Sequence, residues 1–444
     1  MSSAKPKIIV LDDDPTGSQT VHSCLLLTRW DEETLRLGLR DKSPIFFILT
    51  NTRSLTPEAA ASITREVCQN LKRAIAIEEI EDFLIVSRSD STLRGHYPIE
   101  TDAIAEELGP FDAHFLIPAF FEGGRITRNS VHYLMVNSVA TPVHETEFAK
   151  DSVFGYSHSY LPDYVEEKTK GRIHADNVDR ILLADIRYGS LDRLMEMTDN
   201  QCAVVDGESQ GDLNTFAKHI LDAVSQGKKF LFRSGASILT SLADLGPQPV
   251  AADEMAQYVR DGKPGAVIVG SHVKKTTDQL ERLLEEEPNT VSIEIDVSHL
   301  LEDAPEYRTQ MLDEILEKVH TAHTDGKTPV IFTSRKELQF ENAEVRLKFG
   351  AAVSALLMDV VLGMPADIGF LISKGGITSN DVLSTALSLK SVRQIGQIIP
   401  GCSVVKTEAD HPLFPNLPVV LFPGNVGDSH ALATAYKRLS KPSS

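Results

Sequence analysis

Short, wholly apolar runs recur through the first half of this chain: Ile8 to Leu11, Ile45 to Leu49, Phe83 to Val86 and Phe115 to Ile117. Between them lie longer stretches with apolar residues at helical spacing, of which Thr56 to Ala76 is the clearest. A run apolar on both faces belongs between two helix layers, and alternation of such runs with helices builds a parallel sheet from βα units. The class is therefore α/β, with two domains, each a largely parallel sheet with flanking helices. Thr56 is expected to cap its helix, with Pro57 at the first helical position, where a missing N–H breaks no bond.

The alternation continues through Ile181 to Ala184, Cys202 to Val205 and Phe230 to Phe232. Val131 to Lys170 interrupts it with His132, Tyr133, His144, Tyr156, His158 and Tyr160 among Ser, Thr and Pro, and reads as an irregular excursion or lid. His132 and His144 lack metal-ligand spacing and read as satisfied loop histidines. Turn-forming composition from Leu245 to Pro264 marks a boundary. The expected organisation is a substrate-binding domain over 1–245, a linker over 246–264 and a nucleotide-binding domain over 265–444. In the second series the strands are a run from Ala266, Val291 to Ile295, Val330 to Phe332, Phe370 to Ile372 and Val419 to Phe422, and Glu344 to Leu362 is a helix.

Loops that follow the strands of an open parallel sheet leave from one edge, where ligands of such proteins bind. Here those loops are Asp12-Asp13-Asp14-Pro15-Thr16-Gly17, Thr50 to Ser54, Ser87 to His96 and Pro118 to Arg125. Three adjacent carboxylates repel one another unless cations or donors arrive, so the first loop is either a site or a solvated turn. Four successive polar loops favour a site. Arg53, Arg88, Arg94 and Arg125 supply forked donors for a carboxylate or phosphate, and the aspartates and hydroxyls suit sugar hydroxyls.

In the second half, Ser373-Lys374-Gly375-Gly376-Ile377-Thr378-Ser379 runs from a strand into a helix carrying Val382, Leu383 and Leu387. Adjacent glycines let backbone amides approach an anion, and the helix N-terminus favours negative charge. The spacing is not that of a Walker A loop. Gly270 and Gly424 mark two further glycine turns after strands, and together the three point to a nucleotide site.

Composition narrows the function. A net charge of −19 and a pI near 5.2 argue against broad contact with nucleic acid or an anionic membrane surface. Cys24, Cys68, Cys202 and Cys402 form no metal or disulfide pattern. Neither a signal-peptide core nor an apolar run of membrane-spanning length is present, so the expected location is cytoplasmic.

The motifs Asp13-Asp14-Pro15-Thr16-Gly17, SRSDSTLRGHYP from Ser87, PAFFEGGRITRNSVHYL from Pro118, VGSHVKKTTDQL from Val269, SKGGITSNDV from Ser373 and PGNVGD from Pro423 resemble the four-carbon acid sugar kinase family in the same order along nearly the whole chain. The resemblance implies a sugar-acid domain, a nucleotide domain and an active site in the interdomain cleft. It implies transfer of the ATP γ-phosphoryl group, with Mg²⁺, to a hydroxyl of a threonate, erythronate or oxo-tetronate. Carried over by position, Asp13, Asp14, Thr16, Arg53, Asp90, Ser91 and Arg94 surround the substrate. Asp14 or Asp90 is the hydroxyl-orienting base, and Arg53 and Arg94 bind the carboxylate. Ser271, Gly375, Gly376, Thr378 and Gly424 hold ATP, and a homodimer is left open. The chain departs from the family at Arg88, where Lys is usual, at Thr20, where Asp is usual, and at His272-Val273, where Ser-Pro is usual. These departures bear on the substrate more than on the reaction.

Two alternatives remain. Asp12, Asp14 and Thr16 match the DxDxT of haloacid-dehalogenase phosphatases, which would make Asp12 a nucleophile, Asp14 an acid/base and Mg²⁺ essential. That reading lacks an acidic partner after Gly427-Asp428-Ser429 and leaves SDSTLRG and SKGGITS unexplained. The other is a sugar-acid or nucleotide-binding protein without chemistry.

Overall fold

The computed structural model describes residues 5–136, 138–301, 305–335 and 343–440. The chain divides into two compact units, Met1–Pro247 and Gln248–Ser444.

The strands of the first unit are β1 (Lys7–Asp12), β2 (Leu25–Leu27), β3 (Ile45–Leu49), β4 (Phe83–Arg88), β5 (Ala113–Ile117), β6 (Arg125–Arg128), β7 (Val131–Val136), β8 (Val139–Pro142), β9 (Asp179–Ile181), β10 (Gln201–Val205) and β11 (Phe230–Ser234). Eight of them form one sheet in the order β2-β3-β1-β4-β11-β5-β10-β9, and every pairing is parallel. The apolar runs Ile45–Leu49 and Ala113–Ile117 are buried throughout, as strands covered on both faces must be. On one face Ile9, Phe46, Ile48, Ile85 and Leu231 pack with Val67, Leu71 and Ala74 of the helix Pro57–Ile77. That helix begins as its sequence requires, with Thr56 Oγ1 accepting from the Ala59 amide at 3.3 Å and Pro57 in its first turn. Because the sheet is parallel, the loops after β1, β3, β4, β5 and β11 all emerge at one edge.

Two expectations are corrected here. The strand expected over Ile181 to Ala184 ends at Ile181, and Leu183–Tyr188 is helical. Asp185 stops the strand by accepting from the Leu182 amide at 2.8 Å, which caps the new helix. The excursion after Val131 is not irregular: β6, β7 and β8 form a three-stranded antiparallel sheet, followed by the helix Leu161–Lys168. His132 is a strand residue within it, not a loop histidine.

The second unit contributes β12 (Ala266–Val269), β13 (Thr290–Ile295), β14 (Thr328–Thr333), β15 (Leu371–Lys374), β16 (Ser391–Ile399), β17 (Cys402–Lys406) and β18 (Pro418–Phe422). Their order is β13-β14-β12-β15-β18-β17-β16, the first five parallel and the last two antiparallel. Val267, Val269, Phe370, Ile372, Val420 and Phe422 meet Leu280, Leu283, Leu432 and Tyr436 from the helices in one core. Within 246–264, the expected linker, Ala252–Tyr258 is a 3₁₀ segment whose Met255 lies in that core. The helix expected after Ser379 is shorter than its apolar pattern suggested: Gly376–Asp381 is α-helical, and Val382–Ala386 widens into a π turn.

Among the described residues no helix is long and apolar enough to cross a membrane. All four cysteines are free and buried.

Candidate active site

The loops at the carboxyl edge of the first sheet form one network of acids and arginines. Asp13 ends almost fully buried beside Arg53, which donates to it from Nη2 and from Nε, the latter at 3.1 Å. Arg53 Nη1 reaches Asp14 Oδ2 at 3.2 Å. Both remaining edges of Asp13 and Asp14 are also held: Ser89 Oγ donates to Asp13 Oδ2, and the Thr16 hydroxyl and amide donate to Asp14 Oδ1, the amide at 2.8 Å. Burial would raise the Asp14 pKa, but Arg53, Arg88 and Thr16 outweigh it and hold the carboxyl below its ordinary value. The sequence placed Arg53 on the substrate carboxylate, whereas the fold has it bracing two aspartates.

Asp90 lies on the loop after β4. Arg94 Nε donates to its Oδ2 at 2.7 Å, and Thr92 Oγ1 donates to the same oxygen. Burial opposes its ionisation, yet Arg94 and Arg53 hold it well below the usual carboxylate range. Its Oδ1 accepts no hydrogen bond from the described residues, which leaves one acceptor face open. Arg94 also approaches Asp151 at 3.8 Å and lies 4.9 Å from the centre of the Phe148 ring. Arg125 lies 5.9 Å from the same ring, donates to the Gly123 carbonyl at 2.6 Å, and has no acidic partner among the described residues.

The antiparallel excursion grips this loop from behind. His132 Nε2 bonds the Ser91 carbonyl at 2.7 Å, Tyr156 Oη donates to the Thr92 carbonyl at 2.6 Å, and Tyr164 Oη donates to the Leu93 carbonyl at 2.8 Å. Leu93 sits at φ +68, a conformation a leucine rarely adopts unless its surroundings impose it. Burial pushes His132 down to about 4, so the imidazole is neutral, with Nδ1 paired to Thr127 Oγ1 at 2.9 Å. It is a buttress and not a metal ligand. Arg233 of β11 adds a fourth tie, Nη2 to the Arg94 carbonyl at 3.0 Å.

Asp12 has another task. It is 0% exposed, and a Cβ at Gly17 would lie 2.0 Å from both its carboxylate oxygens. Oδ1 takes Arg88 Nη1 at 3.4 Å and the Asp14 amide at 3.3 Å, while Oδ2 has no partner. Burial, only partly offset by Arg88, pushes it up to about 8. A carboxyl with no exposed surface, closed in behind Gly17, does not reach a phosphoester, which weighs against the phosphatase nucleophile. Glu100 is likewise buried, accepts from Thr52 Oγ1 at 2.5 Å and is pushed up to about 7 by desolvation.

These two acids give a pH signature. The folded pKa of Asp12 exceeds its ordinary 3.8, so its contribution to stability is complete below about pH 4 and is lost as pH rises through about 8. Wild-type Tm is therefore expected to fall by up to about 2–4 °C per pH unit from each acid, over pH 5 to 8 for Asp12 and over pH 5 to 7 for Glu100. Asp12→Asn should flatten that slope in thermal melts, and a slope identical to wild type would show that Asp12 is ionised in the folded protein.

In the second unit the three glycine turns converge. A Cβ at Gly375, whose φ is +121, would lie 3.2 Å from Ser271 Cβ and from Thr378 Oγ1. One at Gly270 would strike Thr378 Oγ1 at 2.2 Å, and one at Gly424 would meet Ser271 Oγ at 3.3 Å. Thr276 Oγ1 joins the turns by donating to Ser271 Oγ and to the Gly424 carbonyl, each at 3.2 Å. Gly376 opens the helix that follows. Lys374 is fully buried behind the cradle, with Nζ on the Pro423 carbonyl at 2.5 Å and 4.2 Å from the centre of the Phe422 ring; burial pushes it down to about 7. All five residues expected to hold a nucleotide thus adjoin one another, as do the seven expected around substrate in the first unit. Among the described residues no group of three or more His, Cys, Asp or Glu side chains could hold a metal ion. Asp13 and Asp14 already face Arg53, so they do not form a cation cage of their own.

Sequence reasoning missed Arg233 and Glu100, which stand alone in apolar or helical surroundings and carry no local motif, and it missed the complete burial of Asp12, which only the fold reveals.

A sugar-binding N-terminal domain model matches residues 8–242, and a nucleotide-binding C-terminal domain model matches residues 266–432. The chain is 24% identical over 457 aligned positions to the D-erythronate kinase of Heliobacterium modesticaldum, covering 96% of this chain and 95% of that protein. It is 28% identical to the D-threonate kinase of Bordetella bronchiseptica over 165 positions, 35% of this chain and 38% of that one. Among solved structures, a Salmonella typhimurium LT2 protein superposes with a TM-score of 0.70 at 19% identity, over 98% of both chains. A Haemophilus influenzae protein of the DUF1537 family gives 0.64 at 18% identity, over 97% of this chain and 100% of that one. These structures share the fold. With both domain models matched in order, the chain belongs to the four-carbon acid sugar kinase family.

Proposed function

We propose that this protein transfers the γ-phosphoryl group of MgATP to a hydroxyl of a four-carbon sugar acid of the threonate, erythronate or oxo-tetronate type. The observation that carries the reading is Asp90: an ionised carboxylate, set among arginines, with one oxygen that accepts no hydrogen bond among the described residues. The erythronate and threonate kinases to which the chain is similar support the substrate class.

In this reading the substrate hydroxyl donates to Asp90 Oδ1. Its oxygen attacks the γ-phosphorus, the bond from that phosphorus to the β-bridging oxygen breaks, ADP leaves with the electron pair, and the hydroxyl proton passes to Asp90. The low pKa of Asp90 makes it an orienting acceptor that takes the proton only as the new bond forms. Asp14 shares the wall as the second acidic candidate, and Asp13, Thr16 and Ser91 complete it. Arg53 holds Asp13 and Asp14 in place. The substrate carboxylate falls to Arg94 and Arg125, which lie 4.9 and 5.9 Å from the centre of the Phe148 ring. Ser271, Gly375, Gly376, Thr378 and Gly424 hold the polyphosphate. Mg²⁺ arrives with the nucleotide and neutralises charge on its phosphates.

A coupled ADP-release screen across erythronate, threonate and their oxo forms tests the proposal. Turnover is expected with at least one sugar acid and none with the nucleotide alone. Absence of turnover on every sugar acid would overturn it.

A further inference from the structure

Arg335 lies two residues beyond β14, and no motif in the sequence draws attention to it. Its Nη2 donates to the carbonyl of Ser271, the residue against which the Gly375 and Gly424 turns are packed. Its Nε and Nη1 are buried and have no acceptor among the described residues. The acid that acts on it is Glu294, which forms no ion pair with it there.

A guanidinium anchored by one nitrogen, with two further donors withdrawn from water and unused, is complete only when an anion supplies the acceptors. The two free donor groups lie on opposite edges of the guanidinium, so each is available to a separate phosphate oxygen. Beside them stand three glycine turns and the hydroxyls of Ser271, Thr276 and Thr378, a surface suited to a chain of phosphates more than to a single carboxylate. We infer that Arg335 is a phosphate ligand of this cradle: Nη2 stays on Ser271 while Nε and Nη1 bind oxygens of the terminal phosphates of a nucleotide. The inference rests on the second unit being the ATP-binding side. It adds a guanidinium to a cradle whose Lys374 is engaged by the Pro423 carbonyl, and it ties the position of that guanidinium to the Ser271 turn.

Calorimetric titration of ATP and of inorganic tripolyphosphate into wild type, Arg335→Met and Arg335→Lys tests it, with thermal melts as a folding control. Arg335→Met should weaken both ligands about 10- to 100-fold, as loss of charge-assisted hydrogen bonds does. Arg335→Lys should fall between, because it keeps the charge and loses the two separately directed donors. Tripolyphosphate has no base or sugar, so a parallel loss on it assigns the effect to the phosphates. Wild-type affinity in both variants would overturn the inference, as would a wild-type protein that binds neither ligand. If Arg335→Met does not fold, the Arg335→Lys titration alone decides: a loss on tripolyphosphate supports the contact and unchanged affinity overturns it. The function proposed above fails separately: a protein that binds ATP through Arg335 but phosphorylates no sugar acid loses that function and keeps this ligand.

Discussion

Asp90→Asn is expected to lower kcat for the sugar acid by about 10²- to 10⁴-fold, the range general acid–base groups contribute, with KM for ATP little changed. The amide can still face the hydroxyl but accepts no proton, and it no longer balances Arg94, which donates to Asp90 at 2.7 Å. Asp14→Asn should act differently. Both Asp14 oxygens are already engaged, by Thr16 and by Arg53, so its loss should loosen the Arg53 brace and raise KM for the sugar acid along with a fall in kcat. Steady-state kinetics on folded variants separates the two. Near-normal turnover in both would remove the acidic wall from the mechanism.

Gly375→Ala is expected to raise KM for ATP by about 5- to 100-fold, since a side chain forced into a left-handed backbone costs about 1–3 kcal/mol. The φ of +121 is the first reason, and the 3.2 Å approach of a Cβ to Ser271 and Thr378 is the second. KM for the sugar acid should stay within about twofold, because the change lies in the other unit. Equal loss of affinity for both substrates would show that Gly375 serves general stability and not the nucleotide cradle.

Most of the parallel core was legible because buried strands leave an unmistakable trace: Ile45–Leu49 and Phe230–Phe232 are apolar throughout, and flanking turn residues mark their ends. Where pattern and burial part company, the sequence misleads. Leu25–Leu27 is three residues long and leaves no period to detect. Ser391–Ile399 buries Gln394 and carries Gly396 at φ +151 within a bulged antiparallel pair, so polar and glycine residues sit where an apolar run would be sought. The site was legible as a set of loops but not as a set of bonds. Arg53 and Asp13 are 40 positions apart, and nothing in either loop announces that they pair with each other instead of with a ligand. Arg335 and Arg233 sit next to unrelated sequence for the same reason: their partners, Ser271 and the Arg94 carbonyl, are supplied by the tertiary fold.

The grip of His132, Tyr156 and Tyr164 on three successive carbonyls also sets the polarity of the loop they hold. In a trans peptide the carbonyl and the following amide point in opposite directions. With the Ser91 and Thr92 carbonyls drawn toward the buttress, the amides of Thr92 and Leu93 are turned to the far side, where the Leu93 amide closes on the Asp90 carbonyl at 3.1 Å. The loop therefore presents the positive ends of its peptide dipoles away from the antiparallel sheet, beside Asp90 and Arg94. In a chain of net charge −19 that orientation adds positive partial charge beside Arg94, and it does not depend on pH.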